Sequence, residues 1–193
     1  MERGRRPEPR RSLVSQTLIT NLHAFCSLPI FVKICLEVLA HTLTPDQMAV
    51  LREQFLELNG DHSGMLKKVD IEKTLRSWGA VKPEDAEIIF KGVDVDRNSK
   101  YIRYHEFLAA ALSIEELWES NFRAAFLILS KHSEVIEVSY LRELMGASCS
   151  EEEMKAALAE VHIEPDSRIS YEQFKNIIYS YRPPKKTANP VSS

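Results

Sequence analysis

A helix-loop-helix pattern repeats along this chain of 193 residues, and the repeat limits its fold more than any other feature. Each copy carries an apolar residue at the eighth place of its loop, at intervals of about 35 positions: Leu66, Ile102, Ile136 and Ile169. The helices that flank each loop present one apolar stripe, so two such units are expected to pair. The eighth residues are expected to join paired loops through a short β bridge. The pattern predicts an all-α chain with two lobes.

The first loop, residues 59–70, has the length and spacing of a calcium-binding loop. That template places oxygen ligands at positions 1, 3 and 5, a backbone carbonyl at 7 and a bidentate Glu at 12, with Gly at 6 for the turn. Here the positions hold Asn59 at 1, Asp61 at 3, Ser63 at 5, Gly64 at 6, Met65 at 7 and Asp70 at 12. Asp70 is one methylene shorter than Glu, and Lys67 and Lys68 add positive charge. We expect weak Ca²⁺ binding, with Mg²⁺ as the alternative ion because its octahedron needs fewer ligands.

The second loop has ligand chemistry on an irregular backbone. Its candidate ligands are Asp94, Asp96, Asn98 and a closing Glu106. The count from Asp94 to Glu106 is one residue too long, and no Gly stands at the turn. The backbone must therefore bulge if this loop is to hold an ion, and the sequence leaves its binding open.

The third and fourth loops lack the carboxylates that a calcium ion needs. The third runs through Ser130, Lys131, His132, Ser133 and Glu134 and is one residue short. The fourth has the correct length, but His162 stands at position 1 and a neutral Gln173 at position 12. Both loops are expected to be empty, so the second lobe would be held by packing and metal binding would be confined to the first.

Helix starts are marked by capping boxes, in which a hydroxyl residue and an acid or amide three residues later satisfy each other's backbone N–H groups. Three such pairs are Thr44 with Gln47, Ser113 with Glu116, and Ser150 with Glu153. Each predicts the beginning of a helix.

The segment 15–43 precedes the repeats and has a strongly apolar helical face. Its candidate anchors are Leu22, Phe25, Ile30, Ile34 and Val38. Pro29 is expected to break or kink the helix. The segment is either a packing helix of the first lobe or a target helix carried in cis, whose bulky residues fit the groove between paired hands.

Composition excludes several classes of protein. A net charge of -3 indicates no nucleic-acid partner, and no run of 18 apolar residues is available to span a membrane. The three cysteines, Cys26, Cys35 and Cys149, are odd in number and widely spaced, which favours a reducing, cytoplasmic setting. The arginine- and proline-rich residues 1–14 and the segment 182–193 are predicted to be disordered.

Two stretches resemble the calcium-dependent protein kinases. Asn21 to Phe25, with Leu36, Ala40, Leu43 and Thr44, resembles their autoinhibitory junction. The loops, and the sequence YHEFLAA from Tyr104 to Ala110, resemble their calmodulin-like regulatory domain, which is built from EF-hands. The resemblance implies two EF-hand pairs, over 44–112 and 113–181, preceded by a junction helix over 15–43.

The chain itself carries no kinase motifs: no Gly-rich phosphate loop, His-Arg-Asp or Asp-Phe-Gly. The resemblance therefore implies a non-enzymatic regulatory domain that holds its own junction helix and controls an attached serine/threonine kinase domain in response to Ca²⁺. The alternative is a freestanding EF-hand adaptor of the centrin or myosin-light-chain type, which binds a helix of another protein with or without calcium. A domain-swapped dimer, in which the junction helix docks in a neighbouring chain, is a further arrangement to test.

Overall fold

The computed structural model describes residues 10–77, 83–94, 100–145, 150–164 and 167–181. In chain order the helices are α1 (Arg10–Cys26), α2 (Ile30–Ala40), α3 (Pro45–Leu58), α4 (Lys68–Ser77), α5 (Pro83–Val93), α6 (Tyr104–Ala111), α7 (Glu119–Leu129), α8 (Val138–Met145), α9 (Glu151–Glu160) and α10 (Tyr171–Tyr181). A 3-10 turn (Ile114–Glu116) precedes α7, and the strands are β1 (Met65–Leu66), β2 (Ile102–Arg103), β3 (Ile136–Glu137) and β4 (Arg168–Ile169). Since each strand has only two residues, the predicted all-α class is confirmed.

Contacts divide the chain into two units. The first unit combines the described residues of Met1–Ser27 with those of Met48–Ala111, and the second combines Leu28–Gln47 with the described part of Leu112–Ser193. Each unit contains two helix-loop-helix hands and one of the two helices that precede them. The first 27 residues are therefore part of one unit and the next 20 part of the other.

Short antiparallel bridges join the hands inside each unit. Leu66 pairs with Ile102 in the first unit, and Ile136 pairs with Ile169 in the second. All four side chains are buried. The eighth-position residues thus form the bridges that the sequence predicts, and they do so in the second unit although its loops lack acidic ligands.

Aromatic side chains fill the two cores. In the first unit, the Phe55 ring lies edge-on to Tyr104 and Phe107, with centroid distances of 4.8 and 5.3 Å. In the second, the Phe174 ring lies 6.4 Å from that of Phe122 and is fully buried. These residues stand on the helices that enter and leave the loops, so core packing fixes the spacing of the loop ends.

Two of the three predicted capping boxes form. The Thr44 N–H donates to Gln47 Oε1 (3.0 Å), and the Gln47 N–H donates to Thr44 Oγ1 (3.3 Å). Ser150 and Glu153 exchange equivalent bonds of 2.9 and 3.1 Å. Helices α3 and α9 accordingly begin where the sequence predicts.

The predicted helix start at Ser113 is wrong. Only the 3-10 turn follows Ser113, and extended backbone at Leu117 (ψ 135°) ends it. Helix α7 begins at Glu119, where Asn121 Oδ1 accepts the Trp118 N–H at 2.9 Å. The buried Asn121 amide satisfies the helix end, whereas the Ser113 hydroxyl donates to the Glu115 carboxylate.

The segment before the hands is two helices rather than one. Helix α1 ends at Cys26 and α2 begins at Ile30, directly after Pro29. Pro29 lacks an N–H and cannot continue a helix, whereas its carbonyl accepts the Lys33 N–H at 3.1 Å in the first turn of α2. The break at Pro29 is the one predicted from the sequence.

Helix α1 also begins earlier than the sequence predicts. It starts at Arg10, inside the segment 1–14 that was expected to be disordered. Neither Pro nor Gly occurs between Pro9 and Pro29, so nothing in that stretch stops a helix. Residues 1–9 and 182–193 lie outside the described residues.

Candidate metal-binding loops

The backbone of the first loop makes the turn that a calcium loop needs. It begins where α3 ends, with the Asn59 N–H bonded to the Phe55 carbonyl at 2.8 Å. Gly64, at position 6, has a φ of +77°, a left-handed conformation that glycine adopts without strain. A Cβ on Gly64 would meet nothing within 4 Å, so its requirement is one of backbone conformation and not of space.

Asp61, at position 3, is engaged by the loop's own donors. Its Oδ1 accepts the Ser63 N–H at 3.1 Å, and its Oδ2 accepts a hydrogen bond from Lys67 Nζ at 2.8 Å. The bond from Lys67, followed by those from Ser63, holds the pKa of Asp61 well below its ordinary value. The same contact raises the pKa of Lys67. Asp61 is therefore a carboxylate at neutral pH, paired with an ammonium.

The remaining first-loop ligands also have internal partners. Asp70 Oδ2 accepts the Lys67 N–H at 3.1 Å, so this acid caps α4. The Met65 carbonyl, at position 7, accepts the Ser63 hydroxyl at 3.0 Å. The predicted ligands thus lie within one loop, where donors of the loop itself occupy their oxygens.

Asn59, at position 1, is the exception. Its side chain is 1% exposed, and its Nδ2 has no hydrogen-bond partner. A buried amide with an unpaired atom costs free energy in a hydrophobic core, so its presence here reflects the polar chemistry of the loop. The Ser63 hydroxyl lies 3.5 Å from the Asn59 oxygen.

The second loop is bounded by two buried acids. Asp94 is 6% exposed and Glu106 is 1% exposed. Glu106 Oε2 accepts the Arg103 N–H at 2.6 Å and so caps α6. Removing a carboxylate from water is costly, and a cation offsets that cost. The other two predicted ligands, Asp96 and Asn98, lie outside the described residues.

Loops three and four contain features unrelated to metal binding. In the third, Lys131 Nζ lies 3.6 Å from the centre of the Tyr140 ring, a cation–π contact. In the fourth, Gln173 Oε1 accepts the Ser170 N–H at 2.9 Å. Gln173 at position 12 therefore caps α10 in the way that Asp70 and Glu106 cap their helices.

Within the described residues, no group of three or more His, Cys, Asp or Glu side chains is placed to hold a metal ion. The first loop nevertheless fits a hard cation by chemistry, because its candidate donors are all oxygens: two carboxylates, an amide, a hydroxyl and a backbone carbonyl. The fit is imperfect, because an ion would have to displace Lys67 from Asp61.

Helix α1 lies against α5 and α6 of the first unit. Its predicted anchors Leu22 and Phe25 are 4% and 0% exposed. Leu22 also lines an apolar cavity of about 10 Å³ together with residues of α3 to α6, among them Leu58 and Phe107. This void is about the size of one water probe, so Leu22 nearly fills the space between the hands.

Helix α2 lies against α7, α9 and α10 of the second unit. Of its predicted anchors, Ile34 is buried at 8% exposure, whereas Ile30 and Val38 are half-buried. The most buried residues of α2 include Val32, Cys35 and Leu39, each 0% exposed. Sequence reasoning missed these because α2 is apolar on most of its surface, and a register based on bulky residues selects the wrong stripe.

A close backbone approach joins α1 to α5. A Cβ on Gly92 would lie 2.4 Å from Cys26 Sγ and 2.9 Å from its Cα. The Cys26 thiol also lies 3.6 Å from the Ile88 carbonyl. Gly92 therefore allows the end of α1 to reach α5, and nothing in the sequence alone points to this residue.

Comparisons with known proteins were made on this basis. No family model matches the chain. Calcium-dependent protein kinase 14 of Arabidopsis thaliana is 25% identical over 89% of this chain and 37% of its own length. Calcium-dependent protein kinase 7 of Oryza sativa subsp. japonica is 29% identical over 82% of this chain and 30% of its own. A crystal structure of a C-terminal domain is 22% identical over 90% of this chain and 99% of its own, with a TM-score of 0.41.

The matched regions limit what the comparisons mean. The chain spans about a third of the length of the curated relatives it matches. None of the described helices is both long enough and apolar enough to cross a membrane. The predicted resemblance is confirmed: over most of its length the chain is similar to calcium-dependent protein kinases, and it corresponds to a calmodulin-like regulatory part of such kinases and not to their catalytic domain.

Proposed function

We propose that this chain is the calcium-responsive regulatory domain of a serine/threonine protein kinase. In this role two EF-hand pairs hold the junction helices α1 and α2, and Ca²⁺ acts weakly through the first pair. The kinase domain is then the partner that the junction controls. The similarity to calcium-dependent protein kinases supports this role, since their names state both the kinase activity and the calcium dependence.

The burial of α1 carries the proposal. Phe25 is fully buried and Leu22 nearly so, among the helices of the first unit. In EF-hand sensors, metal binding opens a helix pair and exposes an apolar groove. A helix seated between the first unit's helices is therefore the element whose position a bound ion can change.

The same observation favours the kinase role over the adaptor role. An adaptor of the centrin or myosin-light-chain type needs a free groove for a partner's helix, whereas each unit here holds a helix of its own chain. A partner helix would have to displace α1 or α2.

Weak Ca²⁺ affinity is part of the proposal and follows from two residues. Asp61 must exchange its Lys67 partner for the ion, and Asp70 reaches a metal bidentately less easily than Glu. Mg²⁺ is the competing ion at this loop. The buried Asp94 and Glu106 offer a second position in the same unit. Free cysteines at Cys26 and Cys35 agree with a reducing, cytoplasmic setting.

Hydrogen exchange of α1 tests the calcium response. We expect the α1 amides to be protected without Ca²⁺ and to change their protection when Ca²⁺ is added. Calorimetry of the same titration reports whether an ion binds. An absence of both heat and altered α1 exchange at millimolar Ca²⁺ would contradict a calcium sensor and leave a constitutive scaffold.

The Gly92→Ala variant tests whether α1 is held at the Gly92 contact. The added methyl overlaps Cys26, and overpacking of this kind costs about 1–3 kcal/mol, so α1 should exchange faster while the second unit is unaffected. Gly60→Ala is the matched control, because a Cβ there meets nothing within 4 Å. Equal exchange of α1 in both variants would contradict this docking.

Two further observations address the partners. Kinase motifs in the reading frame upstream of Met1 would support the attached kinase, and their absence would favour the adaptor. Light scattering separates a monomer from a domain-swapped dimer in which α1 docks in a neighbouring chain.

A further inference from the structure

Lys67 stands out among the residues of the first loop because it contacts two candidate ligands at once. Its ammonium lies 2.8 Å from Asp61 Oδ2, and its backbone N–H donates to Asp70 Oδ2 at 3.1 Å. These two acids occupy positions 3 and 12, and Lys67 itself is at position 9. One residue thus satisfies both carboxylates of the loop.

We propose that Lys67 is the resident cation of the first loop: its ammonium, held on Asp61, competes with a divalent ion and sets the loop's affinity. This inference rests on the proposed binding of Ca²⁺ by the first unit and names the residue that regulates it. Position 9 of a calcium loop is usually served by a ligand that acts through water. A lysine there supplies a positive charge where the template supplies an oxygen.

The neighbouring Lys68 shows that proximity alone does not produce this contact. Its ammonium pairs with Glu87 on α5, at hydrogen-bonding distance, and lies 3.8 Å from Glu72 on its own helix. Both lysines carry the same charge and are similarly exposed, but Lys68 binds acids outside the loop. The pair therefore provides its own control.

Competition should be visible as a change in affinity. Replacing Lys67 by Met removes the partner of Asp61 and also the repulsion between the ammonium and the incoming ion, while the backbone N–H that Asp70 accepts remains. An exposed ion pair contributes little by itself, but repulsion of a divalent ion across about 5 Å is larger. We expect Lys67→Met to bind Ca²⁺ about tenfold more tightly than the unsubstituted chain.

The experiment is a Ca²⁺ and a Mg²⁺ titration of the full chain at physiological salt, followed by calorimetry and by the amide resonance of Gly64, which reports the first loop alone. Four chains are compared: unsubstituted, Lys67→Met, Lys68→Met and Lys67→Arg. Lys68→Met should change the affinity by less than about threefold, since its charge is already neutralised by Glu87. Lys67→Arg retains the charge and should bind as weakly as the unsubstituted chain.

Each outcome decides the proposal. Tighter binding in Lys67→Met, but not in Lys68→Met or Lys67→Arg, supports it. Equal gains in Lys67→Met and Lys68→Met overturn it, because net charge then explains the effect.

The results also separate this inference from the proposed function. If the unsubstituted chain binds and Lys67→Met binds no better, the inference fails and the calcium response stands. If only Lys67→Met binds, the inference stands and the unsubstituted chain is no sensor at this loop. If neither binds, both fail.

Discussion

At the scale of single residues, the first loop shows what spacing can and cannot predict. Asn59, Asp61, Ser63 and Asp70 lie within one turn-forming segment, as their positions in the template require. The partners of their oxygens could not be predicted, because a lysine side chain can reach several acids. Lys67 and Lys68 are adjacent in sequence, and only the structure shows that the first bonds to Asp61 and the second to Glu87.

Asp70→Glu should strengthen the first loop. The longer acid reaches an ion bidentately, so we expect Ca²⁺ affinity to rise about tenfold, and more than Mg²⁺ affinity. The cap on α4 should persist, since Glu is favoured at this capping position. Calorimetry with both ions measures the effect. Gln173→Glu, which places the same acid in the fourth loop behind His162, should create no binding; equal gains from both changes would contradict the ranking of the loops.

Asn121 should be important for the stability of the second unit. It is 2% exposed, donates to the Thr42 carbonyl at 2.7 Å, and exchanges hydrogen bonds with the Gln47 amide. Asn121→Ala leaves these buried groups unpaired, which should lower the free energy of unfolding by about 2–4 kcal/mol. Denaturant unfolding measures the loss. The exposed Asn176→Ala should cost little, and a comparable loss there would argue against a special role for Asn121.

At the scale of elements, pairing was more predictable than helix boundaries. The bridges between Leu66 and Ile102 and between Ile136 and Ile169 follow from one apolar residue per repeat. The start of α7 did not follow, because Ser113 and Asn121 both offer a cap and tertiary contacts favour the second. Local signals identify candidate boundaries, and packing selects among them.

Helices α7 and α10 are tied by Glu119, whose carboxylate accepts hydrogen bonds from Lys175 (2.7 Å) and Tyr171 (2.6 Å). The Lys175 bond, followed by that of Tyr171, lowers the pKa of Glu119. A lowered pKa in the folded state means that the stabilisation is present above the ordinary value of 4.5 and is lost as the pH falls through the folded-state pKa.

Glu119→Gln should therefore lower the melting temperature at pH 7, and the difference from the unsubstituted chain should shrink below about pH 4.5. Since Glu119 is exposed, the effect should be modest. Thermal melts from pH 7 to pH 3 provide the measurement. Glu164→Gln makes the same charge change in an exposed loop and should show no such trend; a gap for Glu119→Gln that stays constant with pH would exclude the ion pair as its cause.

At the scale of the whole molecule, the sequence predicts two paired units but not how the preceding segment is shared. Pro29 indicates where the segment breaks. It does not indicate that α1 is part of the first unit and α2 part of the second, because both helices are apolar enough to suit either. The close approach of Cys26 to Gly92 depends on backbone geometry that has no sequence signature.

Deleting residues 1–27 should destabilise the first unit selectively. Leu18, Leu22 and Phe25 are all buried there, and burial of each contributes about 1.5–3 kcal/mol, so the loss should be about 5 kcal/mol or more. Hydrogen exchange should show faster opening around Phe107 and unchanged protection around Phe174. Equal loss in both units would contradict the division of the chain.

The capping role of position 12 has a consequence for how such loops can change. Asp70, Glu106 and Gln173 each accept the N–H three residues earlier, so this side chain has one architectural task and, where it is acidic, one ionic task. A carboxamide performs the first task and cannot perform the second with a full charge. Substitution from acid to amide can therefore silence a hand at little expense to its fold, and a hand silenced in this way remains available as scaffold.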